Sequence, residues 1–136
     1  MLIYQSIAEH EENPAKAGMG NKFLSKHTDK TIQFLLYNMG VTEQYTGFFY
    51  TMCAVRLIIS DPNRLRFITK LIYPDVAKMY CSNWKAIERN IRTVASAAWR
   101  NNPLLLSYLS GFSLKRKPSN GYFLATLTDF CTRIVL

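Results

Sequence analysis

The most constraining feature of the sequence is a row of apolar residues at helical spacing near the middle of the chain. Four residues follow one another at i, i+4, i+7 and i+11 and therefore share one face of an α-helix: Ile87, Ile91, Val94 and Ala98. Such a stripe has to be covered by other elements, because burying aliphatic side chains is the main source of helix stability in a folded protein. The row ends shortly before Pro103, since proline is poorly tolerated inside a helix. The chain is thus expected to build a helical core around this segment.

Helical spacing recurs on both sides of this row. One helix is predicted from Thr28 to a glycine C-cap at Gly40. The next, at residues 43–59, has four residues on one face: Phe48, Met52, Val55 and Ile59. Further helices are predicted at residues 64–69, at 73–80, at 104–109 and, after a cap at Ser119 or Asn120, to the end of the chain. No alternating strand pattern of useful length competes. The predicted fold is all-α, with about six helices, a helix-turn-helix and no relation to winged helices.

The predicted domain does not include the whole chain. Residues 1–27 have weak periodicity and two glycines, and are interpreted as an N-terminal tail or a short helix near residues 3–12. Residues 28–136 form the predicted helix-turn-helix domain. No internal repeat is seen.

The basic residues are concentrated in one part of this domain. The 136 residues carry 17 Lys and Arg against 9 Asp and Glu, a formal net charge of +8. Residues 1–60 and 118–136 are each neutral, so the whole excess lies in residues 61–117. A positive charge confined to one segment favours a phosphate-bearing partner. A solvated surface is the alternative explanation.

Several other classes of protein fit the composition poorly. Both histidines lie in residues 1–27, and the domain has no paired carboxylates, so the chain is expected to be no enzyme and to need neither metal nor cofactor. Cys53, Cys81 and Cys131 are far apart and are interpreted as small core residues in a reducing compartment. The longest apolar stretch is too short to cross a bilayer, and the N-terminus is no signal peptide. The protein is therefore expected in the cytoplasm, with no membrane partner.

Residues 73–94 have the pattern of a helix-turn-helix. A short helix begins at Tyr73 and Pro74 and carries the small residue Ala77 where two helices must approach closely. A polar turn follows, and Cys81 stands where glycine is usual. The longer helix then contains the apolar row. Many helical hairpins share this pattern, so it indicates DNA binding only moderately.

The polar side of the long helix offers groups that read bases. Four residues lie opposite the apolar row, with Glu88 beside them: Lys85, Arg89, Arg92 and Ser96. Arginine donates two parallel hydrogen bonds to guanine, and glutamate accepts one from cytosine. An ion pair between Glu88 and Arg92, which are four residues apart, is an equally good interpretation of the spacing.

At these residues the sequence resembles a known family, the C-terminal DNA-binding domain of the sporulation master regulator, stage zero sporulation protein A. The likeness covers about residues 31–133 and is carried by four segments: TKLIYPDVAK at 69–78, IERNIR at 87–92, AW at 98–99 and KRKPSN at 115–120. The resemblance implies a six-helix effector domain whose recognition helix enters the major groove of a short box containing G and C. It implies that Glu88, Arg89 and Arg92 contact bases.

The resemblance also implies partners and a role. The expected function is sequence-specific regulation of transcription in a bacterium, with double-stranded DNA as partner at the nucleoid. Head-to-tail homodimers on tandem boxes and contacts with RNA polymerase holoenzyme, near residues 61–70, are further expectations. The DNA backbone would be held by eight residues: Lys78, Asn83, Lys85, Ser96, Arg100, Lys115, Arg116 and Lys117.

The sequence departs from the family in several respects. Trp84 stands where the family has a small residue. The family's regulators also carry a phosphorylatable receiver domain before the effector, and at most 27 residues precede it here, so the protein is expected to act without its own receiver. The alternative function is a protein-interaction module that pairs with a full-length regulator, using the apolar residues 104–112 and the final helix.

Overall fold

The computed structural model describes the backbone of residues 17–135 and the side chains of residues 26–133. Within these limits the chain consists of α-helices, one short 3₁₀ helix and turns, without a strand, which confirms the predicted all-α class. The α-helices are α1 (Ala17–Asn38), α2 (Thr46–Ser60), α3 (Ile68–Leu71), α4 (Tyr73–Met79), α5 (Trp84–Asn101), α6 (Pro103–Ser110) and α7 (Asn120–Val135), and the 3₁₀ helix Pro62–Phe67 precedes α3. None of the helices in this described part is both long and apolar enough to cross a membrane.

The central helix is α2, which packs against α1, α4, α5, α7 and the 3₁₀ helix. Its buried side chains consequently point in several directions, and Ile58 and Cys53 are buried although they lie off the predicted apolar face. Met52 and Ile59, which were predicted on that face, are only partly buried. A helix surrounded on several sides has no broad solvent face, so its sequence shows no clean stripe.

The first helix starts earlier than the apolar pattern predicts. It begins at Ala17 instead of Thr28. The sequence of the additional turns has only weak periodicity, so spacing did not predict this earlier start. The short helix expected near residues 3–12 lies outside the described residues, and the division of the chain at residue 27 stays a prediction. The predicted end is confirmed, since Gly40 has φ +73° and the Val41 amide donates to the Leu36 carbonyl at 2.9 Å.

Two asparagines at the end of α5 bind the end of α1. The Asn101 side-chain amide donates to the Met39 carbonyl at 3.1 Å, and that of Asn102 donates to the Asn38 carbonyl at 2.9 Å. The last carbonyls of a helix have no donors within the helix, so these two bonds satisfy groups that would otherwise need water. They also hold the C-terminal end of α5 in place.

Two helices approach closely at Gly47, where α2 meets α5. A Cβ atom at this position would lie 2.2 Å from the backbone oxygen of Asn90 and 2.7 Å from Cγ2 of Val94. Only glycine permits such an approach. Together with the packing of α4, α6 and α7 against α5, this contact accompanies complete burial of the predicted apolar row, with Ile87 and Ile91 at 0 % exposure. Each such side chain stabilises the fold by about 1.5–3 kcal/mol. The position of α5 is therefore set by its inner face.

Candidate nucleic-acid interface

The helices α4 and α5 form a helix-turn-helix whose turn contains a strained residue. Cys81 has φ +51°, and the Ser82 amide donates across it to the Ala77 carbonyl at 2.9 Å. This is the geometry of a glycine C-cap, which costs a non-glycine residue about 1–2 kcal/mol. The local structure thus follows the motif although the glycine is missing.

The cysteines do not share one environment. Cys53 and Cys131 are buried as predicted, and burial raises the pKa of the Cys131 thiol to about 12. The prediction was wrong for Cys81, whose side chain is exposed. The reason is its place in the turn, where the left-handed backbone lies at the surface.

The start of α5 is fixed by a side-chain cap. Asn83 accepts a hydrogen bond from the Ala86 amide at 3.0 Å, as an N-cap residue does. Its carboxamide oxygen, on a residue predicted to bind phosphate, is therefore already used. Trp84 follows and is 43 % exposed, with the Lys85 ammonium 5.8 Å from its ring centre. The cation partly covers the exposed ring.

The outward face of α5 is defined here by five polar residues that lie opposite its buried row: Lys85, Arg89, Arg92, Ser96 and Arg100. All are exposed except Ser96, which is half-buried. The Arg89 guanidinium forms no hydrogen bond or ion pair with any residue in the described part of the chain. The structure therefore brings five of the predicted DNA-binding residues to one surface, where Arg89 and Arg100 have no hydrogen-bond or ion-pair partner among the described residues.

The loop between α6 and α7 reaches the same surface. The Lys117 ammonium donates to the Ser96 hydroxyl at 3.0 Å, which joins this loop to the outward face of α5. Lys115 and Arg116 are exposed beside it, and the adjacent Pro118 is buried. The contact places a basic segment that is distant in sequence next to α5. Lys78, in the last turn of α4, is exposed as well.

Glu88 and Arg92 form the ion pair that the spacing left open. Nη1 of Arg92 lies 3.0 Å from both carboxylate oxygens of Glu88. The two side chains are 29 % and 52 % exposed, and pairs of this kind stabilise a helix by only about 0.3–0.5 kcal/mol. Arginine has five N–H donors, and the pair uses one nitrogen. Donors therefore remain on Arg92 for another partner.

Asn120 was predicted only as a possible helix cap, and its contacts with other helices were missed. Ser119 supplies the cap, since its hydroxyl accepts from the Tyr122 amide at 3.2 Å. The Asn120 amide instead donates to the Tyr73 hydroxyl at 3.1 Å and to the Glu88 carbonyl at 3.0 Å. No spacing pattern links these positions, because they lie on three helices. A groove of about 430 Å³ opens beside them, lined also by Arg92 and Lys117.

The helix-turn-helix is tied to the preceding segment by a half-buried cation. Arg64, in the 3₁₀ helix, donates to the Asp75 carboxylate at 2.7 Å and to the Leu71 carbonyl. Asp75 lies in the first turn of α4. Arg64 therefore acts within the fold, although it belongs to the basic segment at residues 61–117.

An apolar surface lies on α6 and the turn that follows it. Leu104, Tyr108 and Phe112 are 82 %, 77 % and 61 % exposed. These residues belong to the segment named for the interaction-module alternative, which stays a prediction.

The chain was compared with models of protein families. The model described as sporulation initiation factor Spo0A C terminal matches residues 32–130. The match covers well over half of the 136 residues and contains α4, the turn and the whole of α5. The matched family is one of helical DNA-binding domains and not a family of enzymes.

Proposed function

The chain belongs to the family of Spo0A C-terminal domains, the DNA-binding effector domains of sporulation regulators, and we propose that it is a sequence-specific DNA-binding transcription regulator. The observation that carries the proposal is the outward face of α5, the second helix of a helix-turn-helix. It presents exposed cations while the opposite face is fully buried. That is the arrangement in which a recognition helix enters the major groove of double-stranded DNA.

Base reading is assigned to three residues of α5. Arg89 is the principal reader, because its guanidinium is not engaged within the described residues and offers two parallel donors to guanine. Such a contact is worth about 1–3 kcal/mol of discrimination. Arg92 reads a second base with the donors left by its ion pair, and Glu88 accepts from a cytosine amino group.

The DNA backbone is assigned to the residues around α5. The outward face contributes Lys85, Ser96 and Arg100, and the first turn of α5 contributes its amides and the amino group of Asn83. Lys78 and the loop residues Lys115, Arg116 and Lys117 flank them. With about five phosphates neutralised, log K falls against log salt with a slope of roughly −4 to −5.

The family likeness supports three further parts of the proposal. These are head-to-tail homodimers on tandem boxes, contact with RNA polymerase holoenzyme through the surface near residues 61–70, and action at the nucleoid in a bacterial cytoplasm.

Selection of bound sequences from random duplex DNA tests the proposal. The protein should enrich a short box containing G and C, and titration of that box at several salt concentrations should give the slope above. A scrambled duplex of the same composition should bind at least tenfold more weakly, as the loss of one base contact predicts. Equal binding of both duplexes at every salt concentration would rule out base reading.

A further inference from the structure

A single side-chain amide on α7 connects the two helices of the helix-turn-helix. The amide nitrogen of Asn120 lies 3.1 Å from the Tyr73 hydroxyl on α4 and 3.0 Å from the Glu88 carbonyl on α5. It also lies 3.5 Å from a carboxylate oxygen of Glu88. An amide nitrogen has two hydrogens, so two of these contacts are full hydrogen bonds and the third is a weaker, shared one.

The contact with the Glu88 carbonyl acts on the turn that carries the base readers. A carbonyl inside an α-helix already accepts the amide four residues later, and its second lone pair is usually free. Here Asn120 occupies it, so α7 holds the backbone of α5 at the turn from Glu88 to Arg92. Arg89 and Arg92 project from this same turn.

The contact with the carboxylate acts on the side chains themselves. Glu88 receives Arg92 at 3.0 Å on both oxygens, and Asn120 approaches one of them from the α7 side. The Glu88 side chain is 29 % exposed, much less than that of its partner at 52 %. The carboxylate is consequently the fixed member of the pair, and it restricts where the Arg92 guanidinium lies.

Resting on the proposed DNA-binding function, we infer that Asn120 is a positioning residue for sequence discrimination. It holds Glu88, and through Glu88 the guanidinium of Arg92, in one orientation before DNA arrives. Fewer side-chain rotamers are then lost when DNA binds, so the entropic cost of binding is lower. This saving applies only to the base contacts of Glu88 and Arg92. Phosphate contacts, which are made by other side chains, do not depend on Asn120.

A matched control separates this role from a purely structural one. Tyr73 is 1 % exposed and its hydroxyl accepts from the same amide, so Tyr73→Phe removes one hydrogen bond of the cluster and leaves both contacts with Glu88 possible. Asn120→Ala removes all three contacts. In urea unfolding Tyr73→Phe should lose some stability and Asn120→Ala somewhat more, yet only Asn120→Ala should lose discrimination.

The experiment measures the ratio of affinities for the selected box and a scrambled duplex. Asn120→Ala should lower this ratio about fivefold to tenfold while its affinity for the scrambled duplex and its salt slope stay unchanged. Tyr73→Phe should keep the ratio within about twofold. In a Glu88→Ala background, Asn120→Ala should lower the ratio by less than about twofold, because the carboxylate is gone and only the contact with the backbone carbonyl of residue 88 remains to be lost. If Asn120→Ala does not fold, Asn120→Asp, which has the same shape and repels Glu88, gives the same readout.

Two results would overturn the inference while leaving the proposed function intact. One is a wild-type protein that discriminates and an Asn120→Ala variant that discriminates equally well. The other is an equal loss of discrimination in Tyr73→Phe. A wild-type protein that binds both duplexes equally would overturn the proposed function and the inference together.

Discussion

The two faces of α5 differ in how completely the rest of the protein occupies them. On the inner face, Ile87 and Ile91 are fully buried, and Gly47 lets the backbone of α2 approach that of α5 directly. On the outward face, Arg89 is exposed and has no partner among the described residues. One helix therefore combines a face committed to the fold with a face left for a ligand. The inner face decides where the outer one is presented.

The largest effect is expected where the inner face is closest to its neighbour. Gly47→Ala should destabilise the protein by about 3 kcal/mol, because a methyl group would meet the Asn90 backbone, which has no room to move. Urea unfolding measures the change.

Gly121→Ala is the matched control for this substitution. Its Cβ would meet only Cδ1 of Ile68, at 3.6 Å, which is an ordinary contact. Because alanine has a higher helix propensity than glycine, Gly121→Ala should instead raise the stability of the protein by up to about 1 kcal/mol. A Gly47→Ala protein as stable as Gly121→Ala would contradict the close packing of α2 and α5.

The next effect concerns the outward face. Arg89→Ala should weaken binding to the selected box by about 10–100-fold, and binding to scrambled DNA much less, since a base contact and not only a charge is lost. Fluorescence anisotropy with both duplexes measures this.

Arg133→Ala removes the same charge from the last turn of α7, where Arg133 pairs with Asp129 at 2.7 Å. Its effect on the box should stay below about threefold, as expected for a charge outside the interface. Equal losses in the two variants would mean that the outward face acts through charge alone.

A smaller effect is expected in the turn that joins α4 to α5. Cys81→Gly should raise stability by about 1 kcal/mol, because glycine adopts positive φ without strain. Cys81→Ala keeps the strain and should leave thermal stability nearly unchanged. If alanine stabilises as much as glycine, the gain comes from removing the thiol and not from the backbone.

The smallest effect is expected at a polar contact between α1 and the turn that follows it. The pKa of the Glu43 carboxyl lies below its usual range, chiefly because the Tyr37 hydroxyl donates a hydrogen bond to it. A carboxyl whose pKa falls on folding contributes stability above its unfolded pKa, and that contribution is lost as the pH falls through the folded pKa. Tyr37→Phe should therefore raise the pKa of Glu43 and weaken the acid dependence of stability, without changing DNA binding.

An NMR titration of the Glu43 side chain checks this expectation, with Tyr108→Phe as the control on α6. An unchanged pKa of Glu43 in Tyr37→Phe would show that the hydroxyl does not cause the lowering. A change in DNA affinity would show that the region is coupled to α5.

The sequence predicted best what repeats locally. The spacing of Ile87, Ile91, Val94 and Ala98 gave the inner face of α5, and all four are fully buried. Spacing predicted the buried side chains of α2 less well, because α2 is surrounded by other helices on several sides. It also missed the start of α1, whose first turns carry no apolar row. The exposure of Cys81 depends on a turn geometry that the residue itself disfavours.

In the candidate site, too, the sequence predicted features that depend on local spacing and missed those that depend on tertiary packing. The outward face of α5 follows from its period, whereas the contact of Lys117 with Ser96 and the contacts of Asn120 join residues distant in sequence. Such contacts follow from packing, for which spacing carries no signal. The ion pair of Glu88 with Arg92 was one of two equal interpretations, and only the side-chain geometry decided that it forms.

The most direct test of the central claim is an NMR map of the protein titrated with its selected DNA box. The account predicts that the amide and side-chain signals that shift most come from the outward face of α5 and from residues 115–117, while signals of α6 around Leu104 and Tyr108 stay in place. Shifts confined to α6, with Arg89 and Arg92 unaffected, would contradict it.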